Sequence, residues 1–186
     1  MSKTQIVSGG ITDGTIATAD IADDAVTAAK ASGLGITEAD QWRLTTNASG
    51  NHTPLSSNLS RVDKFGTGMT ESSGIFTFPS TGYWWIRFQA RFIGDGDYSR
   101  YLEGNIQITT DNSSYSDASR CSCSATDFGS GNIEVSTSAD YLFDVTNTTT
   151  HKVRFSVNLQ NPVFWYAHGS SSYNLTSMTF IRYGDT

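Results

Sequence analysis

The chain lacks the residues on which several classes of protein depend. It has 2 cysteines and 3 prolines in 186 residues, and charged residues make up only 16 % of it. Two cysteines cannot build a disulfide framework, and so low a charge content argues against disorder over most of the chain. No run approaches the roughly 18 apolar residues needed to span a bilayer. The start, MSKTQIVSGG, also lacks the apolar stretch of a secretory signal, so neither membrane insertion nor a signal peptide is expected.

Excess positive charge and catalytic motifs are also missing. The chain has 12 basic and 18 acidic residues, a formal charge of −6, which gives no general attraction to phosphate, so no nucleic-acid partner is expected. His52, His151 and His168 are isolated and lack metal-binding spacing. There is no G-x-S-x-G elbow and no phosphate-binding glycine loop. We therefore expect no enzymatic activity, and a glycan depolymerase is the weakest alternative.

The N-terminal 40 residues contain none of the 22 aromatic residues, and they repeat. Small apolar residues recur at intervals of five, a period that fits neither a helix nor a strand. The ladder is Ile6, Ile11, Ile16, Ile21, Val26, Ala31 and Ile36. One apolar residue in five cannot form a core alone, so we expect residues 1–40 to be a stalk that wraps with identical chains. A flexible tether and a short helix over 21–31 remain alternatives.

Residues 41–186 carry strand patterns separated by turn residues. Residues 83–93 alternate strictly, with every second side chain apolar. That face is Trp84, Ile86, Phe88, Ala90 and Phe92. Residues 151–160 repeat the pattern, with Val153, Phe155, Val157 and Leu159 inward. About eight such strands predict an all-β sandwich or jelly roll.

One stretch of this region carries a family likeness. Gly74-Ile75-Phe76-Thr77, followed by Gly82-Tyr83-Trp84, resembles the signature of the C1q/TNF-like family. The resemblance implies a C1q/TNF-like jelly-roll head over 41–186, with turns at the two glycines and Phe76 plugging the sandwich. It also implies a homotrimer. The candidate residues of the head interface are Trp85, Tyr141, Ile181 and Tyr183.

Two further features have a structural and a chemical interpretation. Cys121 and Cys123 would face the same side of a strand, and we expect them to be reduced, buried and packed as small hydrophobes. The run 94–97, Gly-Asp-Gly-Asp, suits either a plain turn or weak Ca²⁺ coordination. No other cofactor or metal is expected.

The topology of a jelly roll places three loops at the end remote from the stalk. By strand parity these are 94–100, 127–132 and 161–174, whereas 111–117 and 146–150 face the stalk. Exposed aromatic and polar side chains there would suit a glycan or protein surface. The candidates are Asp95, Asp97, Tyr98, Arg100, Trp165, Tyr166, His168 and Tyr173. Alternatively, Phe164 and Trp165 cap the sandwich interior.

The segment IADDAVTAAK resembles the repeats of bacteriophage fibre proteins. Together with the predicted head, this resemblance implies a structural virion protein. We expect a homotrimeric fibre or spike on the surface of the particle, whose N-terminal segment binds another virion protein and whose head binds a host-surface glycan or protein. A capsid or collar decoration fibre with a purely structural role, and a cellular C1q-like lectin, are the alternatives.

Overall fold

The computed structural model describes residues 35–95, 98–126 and 131–186, together with residues 17, 19 and 21. The chain divides into two units, Met1–Leu34 and Gly35–Thr186. The expected stalk positions Ile6, Ile11, Ile16 and Val26 lie outside the described residues. Ile21 and Ile36 are described, and both are exposed. The first strand of the second unit begins at Ala39, two residues before the expected domain boundary.

Two antiparallel sheets form the second unit. The first, here called sheet I, has the order β2-β11-β6-β12-β1-β3. Strands β11 and β12 share one edge of β6, and β9 pairs with the opposite edge. Its strands are β1 Ala39–Leu44, β2 Ala48–Ser49, β3 Leu59–Phe65, β6 Gly82–Asp95, β9 Asn132–Val145, β11 Trp165–Ala167 and β12 Ser177–Gly184. The second, sheet II, has the order β4-β5-β10-β7-β8. Its strands are β4 Thr70–Ser72, β5 Ile75–Thr77, β7 Ser99–Thr109, β8 Ser116–Ala125 and β10 Lys152–Leu159.

The core lies between the sheets and follows the predicted alternation. The apolar faces expected on β6 and β10 are both buried, from Trp84 to Phe92 and from Val153 to Leu159. Phe76 on β5 lies at the centre, with its ring centroid 5.4 Å from Trp42, 5.5 Å from Phe155 and 5.2 Å from Phe180. Edge-on and tilted contacts of this kind stabilise aromatic cores beyond simple burial. The predicted plug between the sheets is therefore confirmed.

The two signature glycines occupy left-handed backbone positions. Gly74 has φ 81° and Gly82 has φ 134°, a region that side-chain-bearing residues rarely adopt. A Cβ at Gly74 would also come within 2.5 Å of the Leu55 carbonyl oxygen. The expected turn is confirmed at Gly74. Gly82 is instead the first residue of β6, where a Cβ would come within 2.3 Å of the Gly184 carbonyl oxygen.

The loop 66–69 is attached to sheet I by a buried carboxylate. Asp40, whose side chain is fully buried, accepts hydrogen bonds from Arg61 Nε at 3.1 Å and from the Met69 amide at 2.7 Å. Arg61 also lies over the Trp42 ring, 4.7 Å from its centroid. These contacts pair the charge of Asp40, which burial would otherwise make costly.

The expectation of a buried, free thiol is confirmed for Cys121 but not for Cys123. Both are free, Cys121 buried and Cys123 half-buried, and both belong to the core side of β8. Cys121 Sγ lies 3.3 Å from the Gly104 carbonyl oxygen, and Cys123 Sγ lies 3.8 Å from that of Leu102. Burial raises the pKa of both thiols, that of Cys123 to about 11.

Candidate functional site

Strand pairing brings the predicted tip loops to one end of the sandwich. Gly94 pairs with Trp165 and Asp95 pairs with Asn132 on sheet I, while Ser99 pairs with Ala125 on sheet II. At the opposite end Lys152 pairs with Thr109. The start of β1 and the end of β12 also meet away from the tip, through Ala39 and Ile181. The predicted separation of tip and base is therefore confirmed for these strand ends.

Trp165 does not belong to the tip surface. It is 0 % exposed, and its ring packs directly against Gly94. The expectation of an exposed, ligand-stacking Trp165 is wrong, and the interior-capping alternative holds for this residue. It does not hold for Phe164, which is exposed together with Val163. These two are the exposed apolar residues of the loop that the candidate set missed.

The remaining candidates separate into two groups. Tyr98 and Arg100 lie on the sheet II side of the tip, both exposed, where the Arg100 amide donates to Gln160 Oε1 at 2.5 Å. The Gln160 amide in turn donates to the Tyr101 carbonyl at 3.3 Å. The side chain of Asp95, and all of Asp97, lie outside the described residues. The Ca²⁺ alternative at 94–97 therefore stays a prediction.

The second group lies on the outer face of sheet I. Tyr166 pairs with Ile93, and the His168 amide donates to the Arg91 carbonyl at 2.7 Å. Glu134 forms an ion pair with Arg91, and its Oε1 lies 3.6 Å from His168 Nδ1. The hydrogen bond from Arg91 holds the pKa of Glu134 below its ordinary value. This group is polar, and ion pairs hold its charged side chains in place. Tyr98 and Phe164, by contrast, are exposed.

Tyr173 lies apart from both groups. It is 70 % exposed, and its amide donates to Ser170 Oγ at 3.1 Å. The next residue, Asn174, donates from Nδ2 to Gln41 Oε1 at 2.8 Å and accepts at its carbonyl from Gln89 Nε2 at 3.3 Å. Tyr173 therefore projects from a loop attached to the middle of sheet I, and not from the far tip.

An apolar row crosses the outer face of sheet I near the base. Five directly paired residues on β9, β6, β12, β1 and β3 form it: Leu142, Trp85, Ile181, Ala39 and Phe65. Leu142 is 53 % exposed and Phe65 is 61 % exposed. Ala39, Phe65 and Ile181 also line a surface groove of about 440 Å³. Tyr83 on β6 and Tyr183 on β12 are exposed nearby.

This row contains two of the four predicted interface residues, Trp85 and Ile181, and Tyr183 lies two residues beyond Ile181. The prediction that Tyr141 lies at the head interface is corrected by the structure. It pairs with the buried Ile86 and packs against the core, 6.1 Å from the Phe143 ring. Because side chains alternate along β9, its neighbour Leu142 takes the outward position beside Trp85.

Nothing in the described part of the chain assembles a metal centre. No group of three or more His, Cys, Asp or Glu side chains there could hold a metal ion. Among the same residues there is no helix with the length and apolarity to cross a membrane.

Comparison with known proteins defines the class of fold. The head is similar to murine APRIL at pH 5.0, with a TM-score of 0.53 and 12 % identity over 78 % of this chain and 98 % of that chain. It is also similar to Eiger TNF from S. frugiperda, with a TM-score of 0.55 and 11 % identity over 80 % and 93 % of the two chains. The head is thus a TNF-like jelly roll. No family model matches the chain, and no curated protein matches it.

Proposed function

We propose that this chain forms a homotrimeric fibre or spike on the surface of a virion, and that its jelly-roll head attaches the particle to a host cell. The N-terminal segment joins the head to another virion protein. The mechanism is multivalent binding, with no catalytic step, so that a weak contact made three times holds the particle.

The apolar row on sheet I is the single observation that carries the trimer. An apolar row five strands wide on an outer face, half-buried at its centre and exposed at its two ends, Leu142 and Phe65, is unusual on the surface of a monomer. Contact with second and third copies of the head would remove Leu142, Trp85 and Phe65 from water. The five-residue ladder over residues 6–36 supports the same symmetry, since one apolar residue in five cannot form a core alone.

The tip supports the attachment role. Tyr98, Val163 and Phe164 are exposed on loops at the end of the sandwich away from its base, and Tyr101 is exposed near the tip end of β7. Tyrosine and other aromatic side chains are enriched in binding hot spots, because each brings a large contact area at low entropic cost. The TNF-like fold supports a receptor-binding head by analogy of fold, which is a weaker argument than the surface itself.

Native mass spectrometry tests the assembly. The wild-type protein is expected at three times its chain mass of 20.1 kDa. A double variant, Leu142→Asp with Phe65→Asp, should dissociate, because it places two negative charges in the apolar row of each of the three copies. The matched control is Val163→Asp with Phe164→Asp at the tip, which should remain trimeric. A wild-type protein that stays monomeric at micromolar concentration contradicts the proposal.

Adsorption assays test the attachment role separately. The purified trimer should compete with the virus that encodes it for binding to host cells, and Tyr98→Ser with Phe164→Ser should abolish the competition. If the variant virus adsorbs normally but yields fewer intact particles, the decoration alternative replaces attachment. If antibodies to the head fail to label purified virions, the virion location itself is wrong.

A further inference from the structure

The outer face of sheet II differs sharply from that of sheet I. The register of β10, β7 and β8 aligns three residues from each strand into three rows, and all nine side chains are polar. We call this set the polar grid: Asn158, Glu103 and Ser122 in the row nearest the tip, Ser156, Asn105 and Arg120 in the middle row, and Arg154, Gln107 and Asp117 in the row nearest the base. At strand spacings of about 4.8 Å and rises of about 3.3 Å per residue, the grid measures roughly 10 by 13 Å.

Hydrogen bonds and ion pairs link the side chains around the edge of the grid to one another. Arg154 Nε donates to Gln107 Oε1 at 2.8 Å, and Gln107 Nε2 donates to Asp117 Oδ1 at 2.7 Å. Arg120 donates to Asp117 Oδ2 at 2.8 Å and lies 3.9 Å from Glu103 Oε1. Such linked side chains are held in fixed orientations, which a binding site requires before its ligand arrives.

The chain of contacts closes at the tip end of the grid. Asn158 Nδ2 donates to Glu103 Oε2 at 3.1 Å. The hydrogen bond from Arg120 also holds the pKa of Asp117 below its ordinary value, so this carboxylate is charged near neutral pH. Two arginines face two carboxylates, and the grid carries no net charge.

Asn105 occupies the centre with one end of its amide unpaired. The residue is only 7 % exposed. Its Nδ2 donates to Ser156 Oγ at 3.1 Å, but its Oδ1 has no hydrogen-bond partner among the described residues. Turning the amide over would let Ser156 donate to Oδ1 and would leave Nδ2 without an acceptor. Either way a buried polar group lacks a partner, a cost that folded proteins seldom leave uncompensated.

Tyr115 adds a second unpaired group at the base of the grid. Its ring lies under the Arg154 guanidinium, 4.1 Å from the ring centroid, and its buried hydroxyl has no partner in the described part of the chain. At the other end of β7, Tyr101 is partly exposed. Aromatic rings therefore flank the rows of donors and acceptors at both ends.

We propose that the polar grid binds an uncharged oligosaccharide. Sugar hydroxyls both donate and accept hydrogen bonds, so they match a surface that presents guanidinium and amide donors beside carboxylate and amide acceptors. A charged ligand would gain nothing from balanced charges, and an apolar one would leave the grid desolvated and unpaired. Arg120, more than half exposed, is paired with Asn105 across β8 and β7, so its guanidinium can donate to a sugar hydroxyl beside the unpaired amide of Asn105.

The inference rests on the proposed attachment function and names its ligand. Copies that meet through sheet I leave sheet II free, so a trimer would present three grids. Weak sugar binding at each grid would then be strengthened by avidity. The exposed tip and the polar grid are separate surfaces, and their variants separate the two contributions.

A binding assay with the full chain tests it. The probes are immobilised uncharged oligosaccharides of glucose, galactose, mannose, rhamnose or N-acetylglucosamine. The wild-type protein should bind at least one, and Arg120→Ala and Asn158→Ala should each weaken that binding by about tenfold, as loss of ligand hydrogen bonds predicts. The matched control is Arg87→Ala, which removes an exposed arginine bonded to Ser138 on sheet I, and it should bind normally.

Two results would overturn the inference: no binding to any of the probes, or binding that both grid variants retain in full. Native mass spectra of the same samples keep it distinct from the proposed function. A monomer whose sugar binding depends on Arg120 would refute the trimer and leave the grid. A trimer that competes for adsorption but binds no sugar would support the proposed function and refute the grid as a sugar site.

Discussion

The indole ring of Trp165 lies directly over Gly94. The two residues are paired across β11 and β6, and a Cβ added to Gly94 would come within 2.5 Å of the ring atom Cδ2. The absence of a side chain at Gly94 is therefore what allows the indole to close the tip end of the core.

Gly94→Ala should destabilise the head. Since the indole is enclosed, it cannot move away from the new methyl group without strain, which costs about 1–3 kcal/mol in packed cores. Chemical denaturation at matched protein concentration measures the loss. The control is Gly184→Ala, where no atom lies within 4 Å of the added Cβ, and it should be neutral. Equal stability of the two variants would contradict this packing.

Trp165→Ala should act on folding and not on ligand contact. Removing a fully buried indole leaves a cavity and costs about 3–5 kcal/mol. Phe164→Ala removes a neighbouring ring that is exposed and should leave the midpoint of unfolding nearly unchanged. Thermal unfolding followed by circular dichroism compares the two. A larger loss for the Phe164 variant would mean that the two rings have been assigned to the wrong sides.

Asp40→Ala should detach the loop 66–69 from β1. It removes the acceptor of both Arg61 and the Met69 amide, and breaking a buried pair from one side costs about 3 kcal/mol. Asp63→Ala, an exposed carboxylate on the neighbouring strand β3, is the control. Hydrogen exchange should show the Met69 amide losing protection in the first variant alone. Continued protection of that amide would refute the anchoring role.

The cysteines should be inert in the folded head. Because the thiolate is the reactive form, a pKa of about 11 for Cys123 predicts slow alkylation at neutral pH. Iodoacetamide should modify neither Cys121 nor Cys123 in the native protein and should modify both in denaturant, as intact mass spectrometry can count. Rapid native labelling of Cys121 would show that β8 opens.

Asp111 should make the base loop sensitive to acid. Hydrogen bonds from Thr109, and from the amides of Ser114 and Ser113, hold its pKa well below the usual 3.8. A lowered folded pKa gives stability that is present above the unfolded value and is lost as pH falls through the folded value. Unfolding at a series of acid pH values should therefore show a decline below about pH 4. Thr109→Val should raise the Asp111 pKa, seen in its carboxyl carbon NMR signal; an unchanged titration would refute the assignment.

Local pattern was enough to predict the core of the head. Alternation along residues 83–93 and 151–160 identified the buried faces of β6 and β10, because a strand presents successive side chains to opposite sides whatever its partners are. The spacing of Gly74 and Phe76 located the turn at Gly74 and the plug at Phe76 for a similar reason. Glycine there is required by the backbone angle of its own residue.

The candidate site was harder to predict, because membership of a face depends on register. Three consecutive aromatic residues, 164–166, could not all be exposed, and the pairing of β11 with β6 put the middle one inside. In the same way Tyr141 turned inward and Leu142 outward. A shift of one residue exchanges the faces of a whole strand, and no pattern within residues 132–145 fixes that shift.

The sequence by itself determined which segments are strands and which of their side chains are apolar enough to be buried. These properties come from single residues and their near neighbours. Only the tertiary structure decided that Leu142, Trp85, Ile181 and Phe65 share one row, and that Glu103, Asn105 and Arg120 share one polar grid. Each set joins residues far apart in the chain, and hydrogen bonding between strands is what brings them side by side.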